Sequence, residues 1–109
     1  MRDHRLIDER SLALAQAIAE QLRSDPGLMV LARENLERWS KTCSPRARST
    51  LEEWRTVLDG PIEDVIALLT GGDERAVRLR QSNPFAGALP QKLRNEILLR
   101  FQARDEAAT

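Results

Sequence analysis

The single histidine and the single cysteine are the first places to look for chemistry in this chain. His4 stands near the start, between Asp3 and Arg5. A general base needs a fixed partner and a pocket that excludes water, and a chain terminus supplies neither. Cys43 falls in a turn before Ser44-Pro45, with Lys41 and Arg46 nearby. Cations and helix N-termini lower a thiol's pKa, but no second cysteine or suitably spaced histidine follows, so Cys43 reads as a turn residue. Glu52-Glu53 and Glu63-Asp64 are adjacent carboxylates, and neighbours on a helix point to different sides. They read as solvated faces and not as an acid/base pair. Gly71-Gly72 lacks the Lys and Ser/Thr of a phosphate-binding loop and reads as a helix stop. No metal-ligand spacing is present. The expectation is a chain without catalytic residues, metal or cofactor, and hence not an enzyme.

The elements that could position any other kind of site follow from composition and periodicity. A length of 109 residues bounds the chain to one domain with one core. Hydrophobic residues at 41% and charged ones at 31% exclude a mostly disordered chain. No apolar run approaches the ~20 residues that cross a bilayer. No secretory leader is expected, because Met1-Arg-Asp-His-Arg has no apolar stretch behind it. One cysteine closes no internal disulfide, which makes the cytoplasm the default compartment. Seventeen basic and seventeen acidic side chains cancel, so no global field holds the chain on nucleic acid or an anionic membrane. Charge is nevertheless uneven: Arg75, Arg78, Arg80, Lys92, Arg94, Arg100 and Arg104 face Glu96 alone, with Glu63, Asp64, Asp73 and Glu74 just upstream.

Helical periodicity runs throughout. Ile7, Leu14, Ile18 and Leu22 make one stripe, with Ala15 and Ala19 beside it to admit a close neighbour. Asp25-Pro26 predicts an N-cap followed by proline at the first helical position, and Leu28, Ala32, Leu36 and Trp39 share the face that follows. Ser44-Pro45 repeats the device before Ala47, Leu51, Trp54 and Leu58. Asp59-Gly-Pro61 separates a short helix over 62–69, Asp73 is expected to cap a fifth reaching about Ser82, and Pro90 opens a sixth bearing Leu93, Ile97 and Phe101. With no strand alternation in competition, the pattern predicts an all-α fold: a compact orthogonal bundle of about six short helices over residues 1–101. The tail over 102–109 is expected to fray.

Trp39 and Trp54 read as core. The surplus apolar residues are more telling: Val30, Leu68 and Leu99 lie off their helices' stripes, and a helix that is apolar nearly all round is either central or covered by a second chain. The loop Leu79-Arg-Gln-Ser-Asn-Pro-Phe-Ala-Gly-Ala-Leu-Pro90 adds to this. Apolar residues in a loop pack either on the domain's own core or on a partner. On the partner reading Phe85 and Leu89 anchor the loop, Leu98 and Leu99 widen the band along the last helix, and Arg94 and Arg100 form a polar rim. A second copy of the chain is another candidate cover.

Glu9-Arg-Ser-Leu-Ala-Leu-Ala-Gln-Ala-Ile-Ala-Glu, Asn35-Leu-Glu-Arg-Trp and the Leu79–Leu89 segment together resemble, in order, a set of small bacterial proteins thought to be antitoxin components of toxin–antitoxin pairs. In that set the last helix often carries an acidic residue or an aromatic after the Pro-Phe-Ala-Gly turn, where this chain has Pro90-Gln-Lys-Leu-Arg. The resemblance implies an antitoxin-like function, binding and neutralising a protein partner encoded beside it. The alternative is a helix-turn-helix DNA-binding regulator, with Lys41 to Pro45 as the turn and Arg46, Arg48, Ser49 and Arg55 offered to a groove. Glu52 and Glu53 would then meet the same phosphates. Duplex DNA binding by the isolated chain should therefore be weak and should vanish between low and physiological salt. A fluorescence-anisotropy titration checks this, and sequence-specific nanomolar binding at physiological salt would reverse the ranking.

Overall fold

A computed structural model describes the backbone of residues 4–108 and the side chains from Asp8 to Ala103. Six helices follow in order: α1 His4–Ser24, α2 Leu28–Ser40, α3 Pro45–Leu58, α4 Ile62–Thr70, α5 Glu74–Arg80 and α6 Gln91–Ala108, with no strand among the described residues. The chain is an all-α bundle, as the periodicity predicts. The side chains of His4, Ile7 and Arg104 lie outside the described residues.

α4 is the central element. It packs against α1, α5 and α3, which is why Val65, Ile66, Leu68 and Leu69 are all buried. The off-stripe Leu68 thus belongs inside, and of the three surplus residues only Val30 and Leu99 face solvent. Ala15 and Ala19 of α1 are fully buried, consistent with a close helix approach at small side chains. α2 and α3 form a hairpin. Arg33 of α2 fastens it by donating through Nη2 to the Leu58 carbonyl at 2.7 Å, one of the unsatisfied acceptors at the end of α3. Trp54 is completely buried, whereas Trp39 is half-buried against the core and Ala47 is exposed.

The two proline starts differ. Ser44 caps α3 as expected, its hydroxyl accepting from the Ala47 amide at 3.2 Å, with Pro45 at the first helical position. The Asp25-Pro26 start is displaced. Asp25 Oδ1 accepts from the Gly27 amide at 3.1 Å, and the Leu28 and Met29 amides bond three residues back to Asp25 and Pro26. The side chain and the tight turn satisfy the first donors, and the α-helix begins only at Leu28. Asp73 occupies the N-cap position of α5 without making a side-chain cap bond, and α5 ends at Arg80, two residues short of Ser82.

Gly71 ends α4 with φ −71° and ψ 156°, so it is required by space and not by a left-handed conformation. A Cβ there would stand 2.7 Å from the Ala67 carbonyl oxygen and 3.3 Å from the Ala76 Cβ. At Gly72 nothing lies within 4 Å. Gly71→Ala should therefore cost about 1–3 kcal/mol through overpacking against backbone, while Gly72→Ala should be neutral or stabilising by up to about 1 kcal/mol. Parallel urea melts of the two variants measure the contrast.

Candidate functional site

The loop between α5 and α6 is held by a side chain from α2 and by one of its own. Asn35 is 2% exposed on α2, and its Nδ2 donates to the Pro84 carbonyl at 2.8 Å and to the Ala86 carbonyl at 3.0 Å. Arg38 donates to Asn35 Oδ1, so the amide's acceptor is used as well. Within the loop, Asn83 Oδ1 accepts from the Phe85 amide at 2.9 Å. A tight turn follows, with the Ala88 amide on the Phe85 carbonyl at 3.0 Å and Gly87 at φ 88°, the sign that a type II turn demands at its third residue. Upstream, the Trp54 indole donates to the Leu79 carbonyl at 2.8 Å, fixing the end of α5 to α3.

Pinned in this way, the loop delivers Phe85 into the core at 1% exposure. Phe85 is thus a core residue and not an exposed anchor. Leu89 is half-buried against the same core. Beside it the loop, α1 and α6 enclose an open cleft of about 480 Å³. Leu14, Ile18, Phe85 and Leu89 supply its apolar walls, and Arg80, Asn83, Gln91 and Arg94 its polar groups. Arg94 is exposed and lines this cleft together with Leu89. Leu98 is half-buried, while Leu99, at 61% exposure, and Arg100 face solvent farther along α6. The six residues that the sequence grouped into one partner surface are thus separated: Leu89 and Arg94 line the cleft, Leu99 and Arg100 are exposed farther along α6, Leu98 is half-buried, and Phe85 is in the core.

Two residues of the site escaped the sequence reading. Asn35 lies on the buried side of α2, three residues after Ala32 and one before Leu36, where a polar side chain signals a specific hydrogen-bonding task. Arg80 is the other, 7% exposed at the end of α5. Its Nη1 donates to the Leu68 carbonyl at 2.9 Å and to the Gly71 carbonyl at 2.6 Å, closing the C-terminal end of α4. Burial lowers the Arg80 pKa from its ordinary value, against the opposing pull of Asp73 and Asp8. An arginine stays charged through such a shift. Its sequence neighbours Arg75 and Arg78 are spent differently: both are held by Glu53 on α3, Arg78 through a two-pronged contact at 3.1 and 3.2 Å. The Arg78 hydrogen bonds, with help from Arg75, hold the Glu53 carboxyl below its ordinary range.

The other surfaces are plainer. Arg48 and Arg55 of α3 surround a hollow of about 190 Å³ with Glu52 between them, so an acid sits within the surface that the DNA reading would use. A second hollow of about 440 Å³ brings together Asp64, Asp73 and Arg75. Among the described residues no three His, Cys, Asp or Glu side chains converge as a metal site, and no helix is long and apolar enough to cross a membrane. No protein-family model, curated protein or solved structure matches the chain.

Asn35 carries the loop. Asn35→Ala leaves two inward carbonyls without their donor and should cost about 2–4 kcal/mol, with faster amide exchange over residues 85–89. Arg38→Ala removes a contact from an exposed side chain and should cost less than about 1 kcal/mol. Denaturant melts and hydrogen-exchange mass spectrometry of the two variants provide the check.

Proposed function

We propose that this chain is a non-catalytic protein-binding module of the antitoxin kind, which neutralises a partner by covering part of its surface. The observation that carries the reading is Leu99, 61% exposed on a helix whose main contact with the bundle is α1. Leu98 stands beside it and Arg94 and Arg100 are exposed on the same helix. An apolar anchor rimmed by arginine is the composition of a binding hot spot. The resemblance of Leu79–Leu89 and its flanks to suspected antitoxins supports a protein, encoded beside this chain, as the partner. Balanced charge supports a protein surface over a polyanion.

Leu99→Asp separates this role from folding. The substitution should leave the thermal midpoint within a few degrees, because the side chain is outside the core, while weakening the complex by more than about tenfold, or ~1.4 kcal/mol. Phe85→Ala, by contrast, should cost about 3–5 kcal/mol of stability. The measurements are thermal melts of both variants and co-purification of Leu99→Asp with the product of the neighbouring gene. Undiminished partner binding by Leu99→Asp, or its unfolding, removes this surface from the proposal.

A further inference from the structure

Arg80 is doing half of what a guanidinium can do. One nitrogen, Nη1, serves the Leu68 and Gly71 carbonyls; Nε and Nη2 make no hydrogen bond among the described residues. No fully buried side-chain nitrogen or oxygen among those residues lacks a partner. The two spare nitrogens therefore reach solvent, and Arg80 lines the cleft. The two carbonyls are neutral, and no carboxylate among the described residues approaches Arg80 within the 4.0 Å of an ion pair; Asp73 and Asp8 act on it only from farther away. Arg80 is 7% exposed as a residue, so its charge is partly withdrawn from water with no counter-ion beside it among the described residues, and a guanidinium fork matched by a carboxylate makes the stronger class of hydrogen bond.

The cleft around it narrows the anion. Its volume of about 480 Å³ lies in the range of ligand sites. Among the described residues its lining contains no acid, its walls are aliphatic and aromatic, and its second cation, Arg94, is exposed on α6. Apolar walls with so little positive charge suit a singly charged group on an apolar body. A phosphate, with up to two charges and three strong acceptor oxygens, would need more donors than these. Because Arg94 belongs both to this cleft and to the helix that carries Leu99, one partner chain can engage both.

We infer that the cleft between α1, the α5–α6 loop and α6 accepts a segment of the partner protein that carries one carboxylate between apolar side chains, with Arg80 receiving the carboxylate. This specifies the partner chemistry of the surface proposed above and rests on that reading.

The test is an NMR titration of the full chain with two capped peptides, acetyl-Leu-Glu-Leu-amide and its Gln counterpart. The Glu peptide should shift the amides of Ser11, Gly87 and Leu89 saturably, and the Gln peptide should bind at least about fivefold more weakly, as loss of a charge-assisted pair implies. Arg80→Met should abolish the preference. Since that variant also loses the clamp on α4, Gln91→Glu serves as the second: it adds one carboxylate at an exposed position of the cleft. It should weaken the Glu peptide about threefold while sparing the Gln peptide. Equal binding of the two peptides, no shifts at the cleft at millimolar peptide, or indifference to Gln91→Glu overturns the inference. If the partner still depends on Leu99 while the cleft shows no carboxylate preference, this inference falls alone. If the cleft prefers the Glu peptide but no partner depends on Leu99, the functional reading falls instead.

Discussion

A loop that carries a phenylalanine into the core must bring its own carbonyls inward, and this fold depends on finding donors for them. Asn35 supplies both hydrogens of one amide to Pro84 and Ala86. The same solution recurs at the ends of α3, α4 and α5. Trp54 serves the Leu79 carbonyl, Arg80 those of Leu68 and Gly71, and Arg33 that of Leu58. Each donor comes from an element other than the one it closes. These side chains consequently fix the relative placement of α2 through α5, something apolar contacts alone leave adjustable.

The magnitudes show why the donors matter. Burying one Phe side chain contributes about 1.5–3 kcal/mol. Stranding the buried Pro84 carbonyl in the same place costs about 1–3 kcal/mol, and the part-buried Ala86 carbonyl adds to it. Without Asn35 the docked and undocked loops would be nearly balanced. With it, Phe85 can sit at 1% exposure, and the cleft acquires a rigid wall. The site is therefore built from the α2 side of the molecule although its lining comes from α1, the loop and α6.

Periodicity made the helices readable, because a residue that repeats on one face must be buried somewhere; which of the helices with off-stripe apolar residues was central was not readable, since Leu68, Val30 and Leu99 look alike in sequence and only Leu68 is buried. The proline starts were readable as boundaries and less so as registers. An Asp side chain satisfies the same early amides from a tight turn as from an N-cap, which moved the start of α2 to Leu28. Loops have no period, so whether Phe85 faced inward depended on a donor 50 residues earlier in the chain. Arg80 was hidden for a related reason. It belongs to a run with Arg75 and Arg78, and nothing local distinguishes the arginine that closes a helix from the two that meet Glu53 on the surface.

That sorting of arginines also changes what the local excess of positive charge means. Of the basic residues from Arg75 to Arg100, Arg75 and Arg78 are drawn to Glu53, and Arg80 is withdrawn to the carbonyls that end α4. Among the described residues this leaves Lys92, Arg94 and Arg100 exposed on α6 without an ion-pair partner, at the same element that leaves Leu99 uncovered. A dispersed basic stripe would have favoured a polyanion, whose affinity grows with the number of phosphates neutralised. Three cations beside an apolar band favour instead a mixed surface with a few acids set among apolar groups. The charge that looked regional in the sequence is concentrated on α6, with Arg94 at the cleft and Lys92 and Arg100 at other exposed positions of the same helix.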